Sequence, residues 1–166
     1  FGVPARKQDR DFSHAATSDT IAAVRRRFGS DIWLAVDVCL CSHTTHGHCG
    51  ILNDNRDHVL NGTSVSALAD AALQFAQAGA DCVAPSDMQD GRVAAIRTAL
   101  DQTGLERQAI MSYAAKFNSA FYGPFRLAAE SAPGRDLPLR DRASYQIDPA
   151  RPGDALLCAE RDAAEG

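Results

Sequence analysis

Short apolar runs alternate along the chain with longer stretches in which apolar residues recur every three or four positions. The short runs predict buried strands at residues 32–40, 80–85 and 108–113. The longer stretches predict amphipathic helices. Capping residues and turn signals set their expected bounds: a helix from Thr63 or Ser64 to Gly79, one from Asp90 to Gly104, one near residues 119–130, and a last one beginning near Pro152.

Strand–helix alternation of this kind is typical of βαβ units and a parallel sheet, which makes the expected fold class α/β. A complete parallel barrel needs about 250 residues, whereas this chain has 166. We therefore expect one domain, residues 1–166, forming an incomplete barrel of roughly four strands with their helices. Residues 1–4 have the pattern of a strand end. Residues 133–142, rich in Pro, Gly and charge, are expected to form a long exposed loop that acts as a lid.

The composition is that of an ordinary globular domain, with 45% hydrophobic and 23% charged residues and a net charge of -4. No Lys/Arg cluster is interleaved with aromatic residues, so no nucleic-acid partner is expected. No apolar run approaches the ~20 residues that cross a bilayer, so no membrane partner is expected either. Five cysteines, three of them within eleven positions, favour a metal site or reduced thiols of a cytosolic enzyme over a disulfide framework.

The strongest chemical signal is the segment DVCLCSHTTHGHCG, residues 37–50. Cys39 and Cys41 point to the same side at a strand end, and Cys49 returns after a seven-residue loop. Three thiolates leave the fourth tetrahedral position open, as in catalytic zinc sites. The alternatives are cysteines that simply pack, or a structural zinc knuckle completed by a histidine. The spacing leaves the roles of three histidines open: His43, His46 and His48.

A lysine and two arginines are further candidates. Lys116, one of only two lysines in the chain, follows the third predicted strand. Active sites of parallel barrels lie at the carboxyl ends of the strands, where a partly desolvated lysine can form a Schiff base. Arg126 and Arg142 suit bidentate pairing with a substrate carboxylate. By residue type alone, a lysine such as Lys116 is more often a surface charge, each of the two arginines equally fits a surface charge, and Asp37 equally fits a site carboxylate or a polar strand end.

Four segments occur in a characteristic order: DVCLC…HGHCG, APSDM-x-DGRV-x-AIR, MSY-x-AKF-x-S-x-FYGPFR and DR-x-SYQ. With them the chain resembles the zinc-dependent porphobilinogen synthase (5-aminolevulinate dehydratase) family along its whole length. The resemblance implies a TIM barrel in a cytoplasmic homo-octamer. It also implies condensation of two 5-aminolevulinate molecules to porphobilinogen, with loss of two waters, through lysine Schiff bases and a catalytic zinc, in tetrapyrrole (haem) biosynthesis.

The resemblance also assigns individual residues. It implies zinc ligands at Cys39, Cys41 and Cys49, and a Schiff base at Lys116. It implies a clamp for one substrate carboxylate at Arg126, Arg142 and Gln146. It implies further lining of the site by Asp37, Ser86, Tyr122 and Phe125, with Asp37 taking a catalytic part.

Some family features are expected to be missing from this chain. Leu157 and Cys158 replace the family's usual Arg-Glu pair, which argues against an allosteric Mg2+ site. The N-terminal arm, the first strand, the C-terminal strands and the second Schiff-base lysine are expected outside residues 1–166. The fragment by itself is therefore expected to be inactive, and the alternative reading is a zinc-binding fragment or interaction module without catalysis.

Overall fold

A computed structural model describes residues 7–134 and 136–166 of the chain. The strand end expected at residues 1–4 lies outside the described residues. Within them, the strands and helices from residue 35 onwards alternate as the hydrophobic pattern predicts. In chain order the elements are α1 (Ala15–Phe28), β1 (Ala35–Val38), α2 (Asn61–Gln77), β2 (Cys82–Pro85), α3 (Arg92–Asp101), β3 (Ala109–Ile110), a 3-10 turn (Ala120–Tyr122), α4 (Gly123–Ala128) and α5 (Gly153–Glu165).

The three strands form one parallel sheet in the order β1-β2-β3. β2 is central: Asp37 of β1 is opposite Ala84, and Val83 is opposite Ile110 of β3. Beyond the two residues of β3, the amide of Met111 still donates to Val83 O at 3.0 Å. Because all strands run the same way, their carboxyl ends lie at one edge of the sheet. The loops that follow the strands therefore meet there.

The hydrophobic core lies between the sheet and the helices that cover its outer face. Leu68, Ala72 and Phe75 of α2 are buried against it, as the period predicts, and so are Ile96 and Leu100 of α3. α2 and α3 contact each other, and α2 also packs on β2. This packing holds the carboxyl edge of the sheet in a fixed place.

The predicted helix starts at Thr63 or Ser64 and at Asp90 are wrong. α2 begins at Asn61, because Ser64 is drawn into the first turn: its hydroxyl donates to Leu60 O at 2.7 Å and accepts the Ile51 amide at 2.8 Å. At α3 the cap position is held by Gly91 in the left-handed conformation. The Asp90 carboxylate instead pairs with Arg161 at 2.7 Å.

One face of the sheet is open, which the prediction of a buried β1 did not anticipate. Ala35 and Asp37 are exposed, whereas Val38 is fully buried. These exposed side chains alternate onto the face that the remaining strands of a closed barrel would cover. Residues 133–142 contain no helix or strand where they are described, in agreement with the predicted loop. None of the helices in the described residues is sufficiently long and apolar to span a membrane.

Candidate functional site

Three cysteine side chains meet beyond the carboxyl end of β1. Cys39 follows the strand directly, and the loop 42–48 brings Cys49 back to Cys41. The three sulfurs lie within 4.8 Å of one another, and those of Cys39 and Cys41 are 3.3 Å apart. With a Zn–S bond of ~2.3 Å, the sulfurs of a tetrahedral site are about 3.8 Å apart. The arrangement therefore fits one tetrahedral ion with a fourth position left for another ligand.

The three thiols, all free, are arranged to stabilise a thiolate. Hydrogen bonds with Cys39 and Cys49 lower the pKa of Cys41 well below that of an ordinary thiol. The hydrogen bond between Cys39 and Cys41 has the opposite effect on Cys39, and it raises the pKa of that thiol well above its ordinary value. At Cys49 the bond with Cys39 lowers the pKa, but the bond with Cys41 and burial outweigh it and raise it to about 12. One negative charge is thus shared by three sulfurs, and a cation bound among them would release the remaining protons.

The histidines of the loop do not join the sulfurs, since the close group of potential ligands in the described residues contains cysteines alone. His46 Nδ1 accepts the His48 amide at 3.1 Å, and burial lowers the pKa of His46 to about 4. His43 packs edge-on against His14, with ring centroids 4.8 Å apart. The loop therefore does not take the form of a knuckle completed by His46 or His48.

His48 is held between two partners from residues 139–145. Its Nε2 lies 2.9 Å from Leu139 O, which can only accept, so Nε2 carries the proton. Nδ1 then accepts the Tyr145 hydroxyl at 3.0 Å. The Tyr145 oxygen also accepts the amide of Cys49 at 3.4 Å. His48 and Tyr145 thereby fix the end of the loop that delivers Cys49.

Lys116 lies beyond the carboxyl end of β3, on the same edge of the sheet. Its Nζ donates to Ser86 O at 2.6 Å. Ser86 follows β2, and its hydroxyl bonds to the Asp37 carboxylate of β1. Three neighbouring strands therefore bring Asp37, Ser86 and Lys116 together, and a cleft of about 480 Å³ lies against Lys116.

The Asp37 carboxylate is exposed on the open face of the sheet but is flanked by protein on most sides. This partial desolvation raises its pKa, against the lowering effect of the Ser86 hydroxyl and the Lys116 charge. A carboxyl group with a raised pKa can donate and accept a proton nearer neutral pH. The position of Asp37 beside Lys116 makes it suited to proton transfer at that amine.

An aromatic ring separates the lysine from the first arginine. The Tyr122 ring centre lies 5.6 Å from Lys116 Nζ and 5.7 Å from Arg126 Cζ, so it faces a cation on each side. Phe125 precedes Arg126 on α4 and is 43% exposed. The structure thus places Tyr122 between two of the predicted site residues and Phe125 at the rim of the same segment.

All three predicted carboxylate-binding residues carry buried polar atoms with no hydrogen-bond partner among the described residues. These atoms are Nε and Nη2 of Arg126, Nε of Arg142 and both amide atoms of Gln146. Arg142 Nη2, by contrast, donates to Gly47 O at 2.9 Å and to Ser131 O at 2.8 Å. Burial lowers the pKa of Arg126, and the charge of Arg142 lowers it further. Neighbouring guanidinium groups with unused donors suit an anion.

Two functional features escaped sequence reasoning. Tyr145 was not among the predicted site residues, although it directly precedes Gln146 in the SYQ segment. Burial raises the pKa of Tyr145 well above its ordinary value, so it remains a protonated donor to His48. The role of His48 was open because a histidine beside three cysteines fits a ligand and a hydrogen-bonding neighbour equally well.

Comparison with known proteins gives concordant matches. The model of the delta-aminolevulinic acid dehydratase family matches residues 1–166. The delta-aminolevulinic acid dehydratase of Methanothermobacter thermautotrophicus is 46% identical over 170 residues, covering 100% of this chain and 50% of that protein. The Staphylococcus epidermidis protein of the same name is 42% identical, with 100% and 51% covered. The chain thus spans about half the length of the curated relatives it matches.

A solved structure shows the same likeness in three dimensions. It is the delta-aminolevulinic acid dehydratase (porphobilinogen synthase) of Toxoplasma gondii in complex with the reaction product porphobilinogen. The TM-score is 0.84 at 39% sequence identity, over 90% of this chain and 42% of that one. This match confirms the expected fold class, an incomplete portion of a TIM barrel with a parallel sheet.

Proposed function

Because the chain belongs to the delta-aminolevulinic acid dehydratase family, we propose that the complete protein is a porphobilinogen synthase. It condenses two molecules of 5-aminolevulinate to porphobilinogen with loss of two waters, a lyase reaction of tetrapyrrole biosynthesis. Residues 1–166 are its partial barrel domain and supply the zinc ligands together with the groups that hold one substrate. The complete enzyme is a cytoplasmic homo-octamer under this proposal.

The unused polar atoms of Arg126, Arg142 and Gln146 carry this proposal. A buried donor without a partner costs about 1–3 kcal/mol, and more when it is charged, so such atoms are rarely left without a use. A carboxylate offers two oxygens to these donors, and 5-aminolevulinate has one carboxylate. The clamp thus matches the charged end of the proposed substrate.

Lys116 is the proposed nucleophile. Its neutral amine adds to the keto carbon of 5-aminolevulinate, and the carbonyl oxygen leaves as water when the C=N bond forms. Asp37 lies beside the amine and is the proposed acid and base for the protons that this step moves. The Tyr122 ring and the Ser86 carbonyl hold the amine in place before substrate arrives.

The donor set of Cys39, Cys41 and Cys49 fits zinc, because thiolate sulfur is a soft ligand and the three sulfurs converge on one point. Zinc bound there would supply a Lewis acid beside the substrate. The chain's own contribution is to hold the three sulfurs together through the loop 42–48. The positive charges of Arg142 and Lys116 also stabilise a thiolate at Cys41.

Borohydride trapping tests the lysine. The complete protein is incubated with 5-aminolevulinate and borohydride, and peptide mass spectrometry measures the adduct at residue 116. We expect the adduct in the wild type and in Lys7→Ala, the matched control at the chain's other lysine. Lys116→Ala is expected to abolish porphobilinogen formation, measured by its colour reaction with an aldehyde reagent. Undiminished turnover in Lys116→Ala would refute the assignment.

Metal analysis tests the cysteines. The triple Cys→Ala variant at 39, 41 and 49 is expected to lose bound zinc and turnover together. Cys158→Ala is the matched control, since this half-buried thiol on α5 lies outside the cluster. Zinc bound without any turnover in the wild type would instead support the non-catalytic zinc-binding module.

A further inference from the structure

A second buried cluster of charged groups lies behind the lysine, outside the cysteines and the carboxylate clamp. Arg92, at the start of α3, is 0% exposed. Its Nη2 donates to Asp162 Oδ2 of α5 at 2.9 Å and to Ser112 Oγ beyond β3 at 2.8 Å. Its Nη1 donates to Gln89 O at 3.1 Å. One guanidinium therefore joins α3, α5, the end of β3 and the turn that follows β2.

Asp87 also belongs to the cluster, but only one of its two carboxylate oxygens accepts a hydrogen bond from the described residues. The residue is fully buried, and its Oδ1 accepts the Gln89 amide at 2.7 Å. Its Oδ2 lies 3.7 Å from Arg92 Nε, and neither atom has a hydrogen-bond partner among the described residues. Burying a carboxylate and a guanidinium is costly unless their hydrogen bonds are complete. A pair kept in this state points to a role other than stability.

The cluster is connected to Lys116 through two segments of the chain, the one after β2 and the one after β3. Asp87 directly follows Ser86, whose carbonyl oxygen receives the Lys116 amine at 2.6 Å. Ser112 lies four residues before Lys116, and its hydroxyl donates to Asp162. The same buried network thus fixes both the acceptor of the amine and the chain that carries the lysine. Asp87 belongs to this network and faces the charges of both Arg92 and Lys116.

We propose that Asp87 is a positioning residue for Lys116: its carboxylate, held by Arg92, sets the Ser86 carbonyl and thereby the place from which the lysine amine attacks. This inference rests on the proposed role of Lys116 as nucleophile. It adds a residue that touches neither substrate nor zinc. Arg92 is tied to Asp162, so α5 is part of the same support.

The charge state of Asp87 changes near neutral pH. Burial raises its pKa to about 7, although Arg92 of α3 and the Gln89 amide lower it and Lys116 beyond β3 adds a smaller lowering. Asp162 of α5 forms a second ion pair with Arg92, so the charge of Arg92 is divided between Asp162 and Asp87. Ionisation of Asp87 therefore strengthens the hold on the turn after β2 as pH rises through this value, and imine formation should follow it.

The test compares Asp87→Asn with Asp90→Asn in the complete protein. Asp87→Asn keeps the shape and the acceptor for the Gln89 amide but removes the charge. Asp90 is exposed and pairs with Arg161 at 2.7 Å, so its variant is the matched control. The first measurement is the rate of borohydride trapping at residue 116 between about pH 5.5 and 9, where the protein is expected to stay folded. The others are kcat, KM and the melting temperature.

We expect Asp87→Asn to slow trapping at Lys116 by about 10- to 100-fold, as misplacement of a reacting group does. The KM is expected to stay near that of the wild type, and the limb of the pH profile near 7 to disappear. Asp90→Asn should keep the wild-type rate and profile. A folded Asp87→Asn variant with the wild-type trapping rate and pH profile overturns the proposal.

If Asp87→Asn does not fold, Ser112→Ala decides the question, because it removes one link between the network and the lysine segment without removing a charge. A folded Ser112→Ala variant should trap more slowly than wild type at an unchanged KM, and an unchanged trapping rate overturns the proposal. Absence of trapping and turnover in the wild type itself would refute the proposed function rather than the positioning role of Asp87.

Discussion

Replacement of Gly47 by alanine tests how the cysteine loop is shaped. Gly47 lies between Cys41 and Cys49 with φ +75. A Cβ atom added there would lie 2.5 Å from Ala132 O and 2.9 Å from Ser131 O. Both contacts are with backbone, which cannot move aside as a flexible side chain does. The loop or the segment after α4 must therefore shift, and Cys49 is two residues away.

The magnitude follows from two separable costs. A left-handed conformation costs an L-residue about 1–2 kcal/mol, and overpacking against fixed atoms costs about 1–3 kcal/mol more. Gly104→Ala is the matched control, because Gly104 has φ +79 and an added Cβ there would have no atom of the described residues within 4 Å. Gly104→Ala therefore carries the backbone cost alone, and the difference between the two variants isolates the contact with residues 131 and 132.

Zinc affinity and melting temperature are the readouts in the complete protein. We expect Gly47→Ala to weaken zinc binding by about tenfold or more, since 1.4 kcal/mol corresponds to about one decade in affinity. Gly104→Ala should bind zinc as the wild type does and show only a small fall in melting temperature. Equal zinc affinity in both variants would refute the view that the segment after α4 shapes the cysteine loop.

Three further predictions follow from other parts of the structure. His14 is buried, and burial lowers its pKa from 6.5 to about 4. Its contribution to the free energy of unfolding is therefore fully present above about pH 6.5 and decreases as the pH falls towards 4, by up to roughly 3 kcal/mol. In His14→Phe, measured by acid unfolding, this pH-dependent loss of stability should be absent. Arg142→Lys should lower the melting temperature and raise the KM for 5-aminolevulinate, because a single ammonium nitrogen cannot take the places of two guanidinium nitrogens. Arg142 Nη2 bonds Gly47 O and Ser131 O, while Nε has no hydrogen-bond partner among the described residues and is left for a carboxylate. A variant with both values unchanged would contradict this. Residues 1–166 alone, supplied with zinc, should form no porphobilinogen in the colour assay. They should also associate with one another through the open face of the sheet and exposed side chains such as Phe121. Turnover near that of a full-length relative would show that the carboxylate clamp for one substrate is sufficient for the reaction.

The sequence by itself determined the order of the strands and helices from β1 onwards and the buried faces of α2 and α3. Period-2 and period-3.6 patterns report directly which side of a strand or helix avoids water, so Leu68, Phe75 and Ile96 could be placed in the core from spacing alone. Local spacing also brought Cys39 and Cys41 to one side of a strand end. Family-specific segments then identified the chemistry, because they are long and occur in order.

Tertiary structure decided what depends on partners far along the chain. Arg92 and Asp162 are 70 positions apart, and neither residue's surroundings in the sequence mark it as half of a buried ion pair. That Nε and Nη2 of Arg126 have no hydrogen-bond partner in the described part of the chain could be recognised only from the positions of the neighbouring acceptors in the fold. Helix starts were mispredicted for the same reason: Ser64 was expected to cap α2, but the Ile51 amide, thirteen residues earlier, claims its hydroxyl. Local sequence encodes which groups seek burial or a hydrogen bond, whereas the packed fold decides which partner each group finds.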